Sequence, residues 1–256
     1  MSILSALRLS RAPVAAFAAV GLTWGCFAAM VPVLKARIGV DDATFGLLLL
    51  GTAVGLATTL YAAPRWDRRM GSWALPLGTV MLAGAALLPI GAVTVPLFFI
   101  ALMLMGATSG LTDVVMNARV SEIEVRSRRS LMNVNHAMFS VAYAISALLT
   151  GAMREAGWGP EAIFPVIAAL ILATAPFQRM EVATTDADEA ALGSLPVGLV
   201  SICAGIVLIA FMAESTVESW SALHVERTLG GGAGAGPGGP ALRGQPQAPG
   251  RRAGPT

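Results

Sequence analysis

Six stretches of this 256-residue chain run for seventeen residues or more without an Asp, Glu, Lys or Arg. Between Arg11 and Lys35 there are 23 such residues, between Asp42 and Arg65 22, and between Arg129 and Arg154 24. The interval from Glu161 to Arg179 holds 17 and that from Glu189 to Glu214 holds 24. Between Arg69 and Asp113 there are 43, enough for two crossings joined by a turn near Gly91 to Pro96. A helix needs about 20 apolar residues to cross the hydrocarbon of a bilayer. The tally predicts seven spans, the sixth short. The runs are continuous and lack the alternation of barrel strands, so they predict helices. The expected fold is an all-α polytopic membrane protein.

Composition agrees and closes other routes. Charged residues make up 12% of the chain and hydrophobic ones 55%, against about 25% charged in an average soluble domain. A soluble enzyme, a disordered chain and a disulfide-stapled secreted scaffold are all excluded as expectations. The net charge of +2 is spread between apolar runs, so no nucleic-acid footprint is expected. Cys26 and Cys203 each lie inside an apolar run and read as small buried hydrophobes, not as a disulfide or a metal pair. No cofactor motif occurs, and no cofactor is expected. The first run follows Arg8 and Arg11 but is longer than the apolar core of a signal peptide, and reads as a retained helix.

Arginine distribution sets the expected orientation. With the N-terminus cytoplasmic, Arg8, Arg11, Arg65, Arg68, Arg69, Arg119, Arg126, Arg128, Arg129 and Arg179 fall inside. Lys35, Arg37 and Arg154 fall outside, a clear positive-inside bias. The organisation expected is a six-helix bundle over residues 1–180, a cytoplasmic linker over 181–193, and a seventh helix with an outer extension over 194–229. From 230 to 256 the chain holds ten Gly, five Pro, five Ala and three Arg, a composition that buries no core. Codons built only of G and C specify these residues. The stretch therefore also fits an out-of-frame reading of a GC-rich gene, and the expectation is a truncated chain with a frameshifted tail.

Ionisable and polar groups inside spans are costly, so each is a candidate for function. In the fourth span Gly106, Gly110, Asp113 and Asn117 share one helical face by spacing. Asn133, His136, Ser140 and Tyr143 do the same in the fifth. Two polar faces on successive antiparallel helices predict a hydrated path between them. Asp113 and His136 are the candidate proton carriers, since histidine exchanges protons near neutral pH; the alternatives are an interfacial anchor and a structural hydrogen bond. Trp24 and Glu214 are further candidates for the solute path, with packing and interfacial anchoring as their plainer roles. Trp220 reads as an interfacial anchor. Arg119, Glu122, Glu124, Arg126, Arg128 and Arg129 read as a solvated loop that sets topology, with ion pairs that lock one conformation. Gly21 with Gly25, and Gly51 with Gly55, are small-residue pairs that predict close helix packing.

The loop Ala63-Pro-Arg-Trp-Asp-Arg-Arg-Met-Gly71-Ser-Trp73 resembles the inside-loop signature of the major facilitator superfamily. Aligned on Gly71, Arg69 falls on its basic position, Arg68 stands on the acidic one, and Asp67 comes one residue early. The resemblance makes Asp67, Arg68, Arg69 and Gly71 the candidate conformational gate. The stretch from Gly110 to Ser140, with Gly-Leu-Thr-Asp-Val-Val-Met-Asn, Glu124, Arg128-Arg129, His136 and Ser140, is similar to a bacterial permease branch related to sugar and fucose permeases. It implies a twelve-helix fold of two six-helix halves, of which this chain holds one half and one helix. It also implies secondary transport of a small solute by alternating access, proton-coupled through Asp113 or His136, in the bacterial inner membrane. A permease of this length would work only by pairing with itself or a partner. The competing expectations are an inactive fragment and an intramembrane serine hydrolase built on Ser109 and His136. Against the hydrolase stands an axial offset of roughly a turn at ~1.5 Å per residue, and Ala107 where the serine motif wants glycine.

Overall fold

The computed structural model describes residues 2–180 and 197–232, and it is helical without a strand among the described residues. Helix α1 covers Ile3–Leu9, α2 Arg11–Ile38 and α3 Asp42–Met70. Next come α4 at Ala74–Ala86, the single turn α5 at Leu88–Gly91 and α6 at Val95–Ser127. Then follow α7 at Met132–Glu155, α8 at Pro160–Thr174 and α9 at Val197–Thr228. Among the described residues, six helical segments are long and apolar enough to cross a membrane. α9 follows them as one 32-residue helix where the seventh span is expected. The chain is a multi-pass membrane protein. The linker 181–193 and the tail from 233 onward lie outside the described residues.

Helix ends follow local chemistry. Asp41 caps α3, its Oδ1 accepting from the Thr44 amide at 2.7 Å. The hydrogen bonds from Thr44 hold the Asp41 carboxyl below its usual range. A carboxyl with a lowered folded-state pKa contributes stability above its unfolded pKa and loses it as pH falls through the lowered one. Asp41→Ala is therefore expected to lower stability at neutral and alkaline pH, with the difference from the parent vanishing as pH falls through the lowered pKa, as read by thermal melting across pH. At the other end of α3, Gly71 takes φ +52°, which lets the chain turn at once into α4, and Trp66 Nε1 ties the corner by donating to the Ala74 carbonyl at 3.1 Å.

In lipid the hydrophobic effect does not drive helices together, so close backbone approach and hydrogen bonds do. α3 lies against α6, and α2 against α7. A Cβ on Gly21 or Gly25 would run into the carbonyls of Phe139 or Tyr143 on α7. One on Gly51 or Gly55 would meet the carbonyls of Phe99 or Met103 on α6, and one on Gly106 the carbonyl of Thr52 on α3. Gly106 faces α3, so the shared face expected on the fourth span divides: its glycines serve packing while its polar pair is used elsewhere.

α2 is the central helix, in contact with α4, α6, α7, α8 and α9. It is apolar nearly all round, as a helix buried on all sides must be, and Phe17, Met30, Val31 and Leu34 are buried along it. It runs unbroken past Pro32. Ser146 Oγ on α7 donates to the Leu22 carbonyl at 2.7 Å, and Thr79 Oγ1 on α4 donates to Gln178 Oε1 beyond α8 at 2.7 Å. Leu47, Leu50, Leu97, Ile100, Ile145 and Leu148 point outward and are exposed. So much apolar surface is at home in hydrocarbon.

Candidate functional site: a polar face and two ion-pair centres

Ser109 of α6 and His136 of α7 each meet an aromatic side chain of α2. α2 packs on both helices, whereas α6 and α7 touch sparsely. Trp24 Nε1 donates to Ser109 Oγ on α6 at 2.9 Å. One turn along α6, Asp113 is half-buried, and Asn117 Nδ2 donates to both its carbonyl and its Oδ1, at 2.9 and 3.1 Å. On α7 the exposed His136 sits edge-on to Phe17 of α2, with ring centroids 4.8 Å apart. Ser140 is exposed and donates back to the His136 carbonyl at 3.3 Å. Tyr143 is half-buried beside Phe139. Trp24 thus joins α2 to α6, and Phe17 joins α2 to His136 of α7. Asp113 and Asn117 lie one and two turns beyond Ser109 on α6, and Ser140 and Tyr143 lie further along α7. The Glu214 side chain lies outside the described residues. Ser109 is buried and holds the Trp24 indole, which gives this hydroxyl a structural partner.

A second centre lies where α3 and α6 end together. α6 has 33 residues, ~50 Å at 1.5 Å each, so it outruns a hydrocarbon core of ~30 Å. The helix therefore continues through the segment read from sequence as a solvated loop. Arg119 is not solvated: its side chain is 2% exposed. Its guanidinium donates to Asp67 Oδ1 on α3 and to Glu122 Oε1 at 2.5 Å. The sequence reading placed Arg119 in a solvated, topology-setting loop with ion pairs; the ion pairs are present, and the solvated placement is corrected. The physical reason is helix periodicity, since Arg119 falls on the same side of α6 as the buried Val115, Met116 and Val120. Of the proposed gate residues, Asp67 is half-buried in this centre and Gly71 forms the turn. Arg68 and Arg69 are exposed. Glu124 Oε1 accepts from the amides of Leu131 and Met132, at 2.5 and 2.8 Å, and so starts α7.

The opposite face carries the second set of ion pairs. Lys35 and Arg227 both reach Asp42, at 2.7 and 2.9 Å, and Arg37 reaches Glu161 at 2.6 Å. Arg154, its side chain 7% exposed, grips Glu226 at 2.8 Å and donates to the Ala29 carbonyl at 2.6 Å. Two of these contacts tie α9 to the first six spans, and Trp220 of α9 adds an edge contact with Phe45. Sequence reasoning missed them because the partners lie up to 185 residues apart. Their one signal is the clustering of Lys35, Arg37, Asp42, Arg154 and Glu161 at span ends. Glu226→Gln strips Arg154 of its counter-charge. The expected cost is about 2 kcal/mol, together with faster proteolysis between α8 and α9 than in the parent chain.

An uncharacterized MFS-type transporter of Yersinia pestis is 31% identical over 222 residues, covering 84% of this chain and 57% of the relative. An uncharacterized transporter of Sinorhizobium fredii is 29% identical, over 86% of this chain and 60% of its own length. The membrane protein MosC of Rhizobium meliloti is 22% identical, over 81% and 51%. The chain thus spans little more than half the length of the relatives it matches. No family model matches it, and no solved structure does.

Proposed function

The chain belongs to the major facilitator superfamily, and from that premise we propose that it is the solute-binding half of a secondary transporter, coupled to protons through Asp113. The relatives are named transporters, which favours a permease over a catalyst. The observation that carries the finer reading is a half-buried carboxylate inside a membrane-spanning helix, Asp113 on α6, whose Oδ1 accepts from Asn117 Nδ2 at 3.1 Å. A coupled carrier needs one group that takes a proton from one side and yields it to the other. Asp113 is positioned for that, with Asn117 orienting its carboxylate and His136 on the open side of the face. Trp24, Ser140 and Tyr143 supply an amphipathic lining for a small polar solute.

Alternating access requires a second wall facing this one, supplied by the rest of a longer protein or by a second copy. The arginine-rich face is cytoplasmic in this reading, by the positive-inside bias, in a bacterial inner membrane. The Asp67–Arg119–Glu122 centre then closes the cytoplasmic ends of α3 and α6, and the α9 ion pairs close the outer ends.

The experiment is proton-driven uptake in proteoliposomes, screened over a panel of labelled sugars with a pH-sensitive dye inside. Parent protein is expected to acidify the lumen when its solute is supplied. Asp113→Asn should cut gradient-driven uptake at least tenfold while leaving solute counterflow measurable. Equal gradient-driven uptake by parent and variant would remove Asp113 from the coupling. An inactive chain would instead show no saturable flux of any solute.

A further inference from the structure

Apart from the polar face, the described residues line an open-sided cavity of about 510 Å³ at the arginine-rich end. Arg8 of α1, Arg11 of α2, and Arg179 just after the turn that extends α8 all line it, with Ser72 from the α3–α4 corner and Ile123 of α6. No acidic residue is in its wall among the described residues. None of the three arginines takes part in an ion pair among the described residues. That contrasts with Arg37, Arg119, Arg126, Arg154 and Arg227, each of which faces a carboxylate. Three arginines lining one cavity, none with a carboxylate partner among the described residues, suit an anion, and guanidinium suits a phosphate's oxygens in particular.

The surroundings say where that phosphate comes from. Arg179 stacks over the Trp73 ring at 4.6 Å, and Trp73 is itself exposed. Exposed Trp beside cationic side chains marks the headgroup level of a bilayer. α1 presents Ile3 and Leu4, 71% and 67% exposed, next to Arg8. Phe177, 67% exposed, stands two residues before Arg179. Apolar groups for acyl chains thus border cations for a headgroup, the arrangement of a basic pocket that takes an anionic lipid.

We propose that Arg8, Arg11 and Arg179 form a site for the phosphate headgroup of an anionic phospholipid, seated between α1, the α3–α4 corner and the end of α8. The bound lipid would clip three segments that share no ion pair with one another, and so hold the arginine-rich end together.

The test is titration of the detergent-solubilised 256-residue chain with fluorescent phosphatidylglycerol, phosphatidylcholine as the zwitterionic comparison, and inorganic phosphate as competitor. Tight, saturable binding of phosphatidylglycerol alone is expected. Substituting all three arginines by Gln should weaken it on the order of 100-fold, with melting in phosphatidylcholine unchanged. Arg8→Gln and Arg11→Gln alone, at exposed side chains, should each weaken it several-fold and keep the test open if the triple variant misfolds. Arg65→Gln, Arg126→Gln and Arg128→Gln together remove equal charge outside the cavity and should leave binding intact. Unchanged affinity in the cavity variants overturns the proposal, as does equal loss in the outside set. Displacement by inorganic phosphate at comparable concentration would make this a soluble-anion site and overturn the lipid assignment. Neutralising Glu181, Asp186, Asp188 and Glu189 tests the chain's own acidic linker as occupant. A tenfold gain in lipid binding there would assign the cavity to the linker instead.

Discussion

Arg119→Met is expected to destabilise the chain by about 3 kcal/mol, the largest loss from any single charged residue here. The argument is electrostatic. Arg119 is shut away from solvent, and its two partners, Asp67 and Glu122, are 24% and 26% exposed. Removing the cation leaves two carboxylates facing each other at the junction of α3 and α6. Each keeps some access to water, which holds the loss near the low end of the range for breaking a buried pair. Asp67→Asn is milder, about 1 kcal/mol, because Arg119 retains Glu122 and the amide still accepts a hydrogen bond. The triple change Arg119→Met, Asp67→Asn, Glu122→Gln should recover most of the loss, since removing a whole buried ion cluster is often close to neutral. Denaturation of the four proteins in detergent closes the cycle. If the triple variant is as unstable as Arg119→Met alone, the loss comes from packing and the ion centre is not what joins these helices.

The same centre shows where sequence reasoning stops. Charge-free intervals located the spans because the bilayer imposes one length and one polarity on each crossing. The helix boundaries at Ile38, Met70, Gly91 and Glu155 follow those intervals closely. The glycine pairs were legible too, since small residues four apart have one main use in a membrane helix. Arg119 was not. A run with Arg119, Glu122, Glu124 and Arg126 is polar on average, and average polarity reads as loop; the helical period that turns Arg119 inward is masked by its neighbours. Ser109 gives the converse case. A serine facing a distant histidine invites a nucleophile, yet its hydroxyl accepts from Trp24, 85 residues earlier in the chain. Pairings across that distance depend on helix order in space, which composition does not carry. The polar face around Asp113 lies between these extremes. Its residues were picked out by cost alone, and that Ser109 and His136 meet aromatic residues of α2 required the fold.

Gly55→Ala is expected to cost about 3 kcal/mol or more, at the upper end of overpacking losses, although it adds a single methyl. The new Cβ would land on backbone, the Met103 carbonyl and the Ala107 amide nitrogen, and backbone of a packed helix cannot rotate aside as a side chain can. α3 and α6 would have to separate along their length, loosening the Gly51 and Gly106 contacts in the same seam. The Asp67–Arg119 pair bridges the same two helices, so the harm should extend to it. Gly84→Ala is the matched control. It also lies in an apolar helix, but nothing stands within 4 Å of the added carbon. There the better helix propensity of alanine should stabilise by about 0.5–1 kcal/mol. The expected result is therefore opposite signs for one chemical change, read by unfolding in detergent. Equal effects at the two positions would mean that the α3–α6 seam is not closed by backbone contact, and Asp67 and Arg119 would then have to be joined by charge alone.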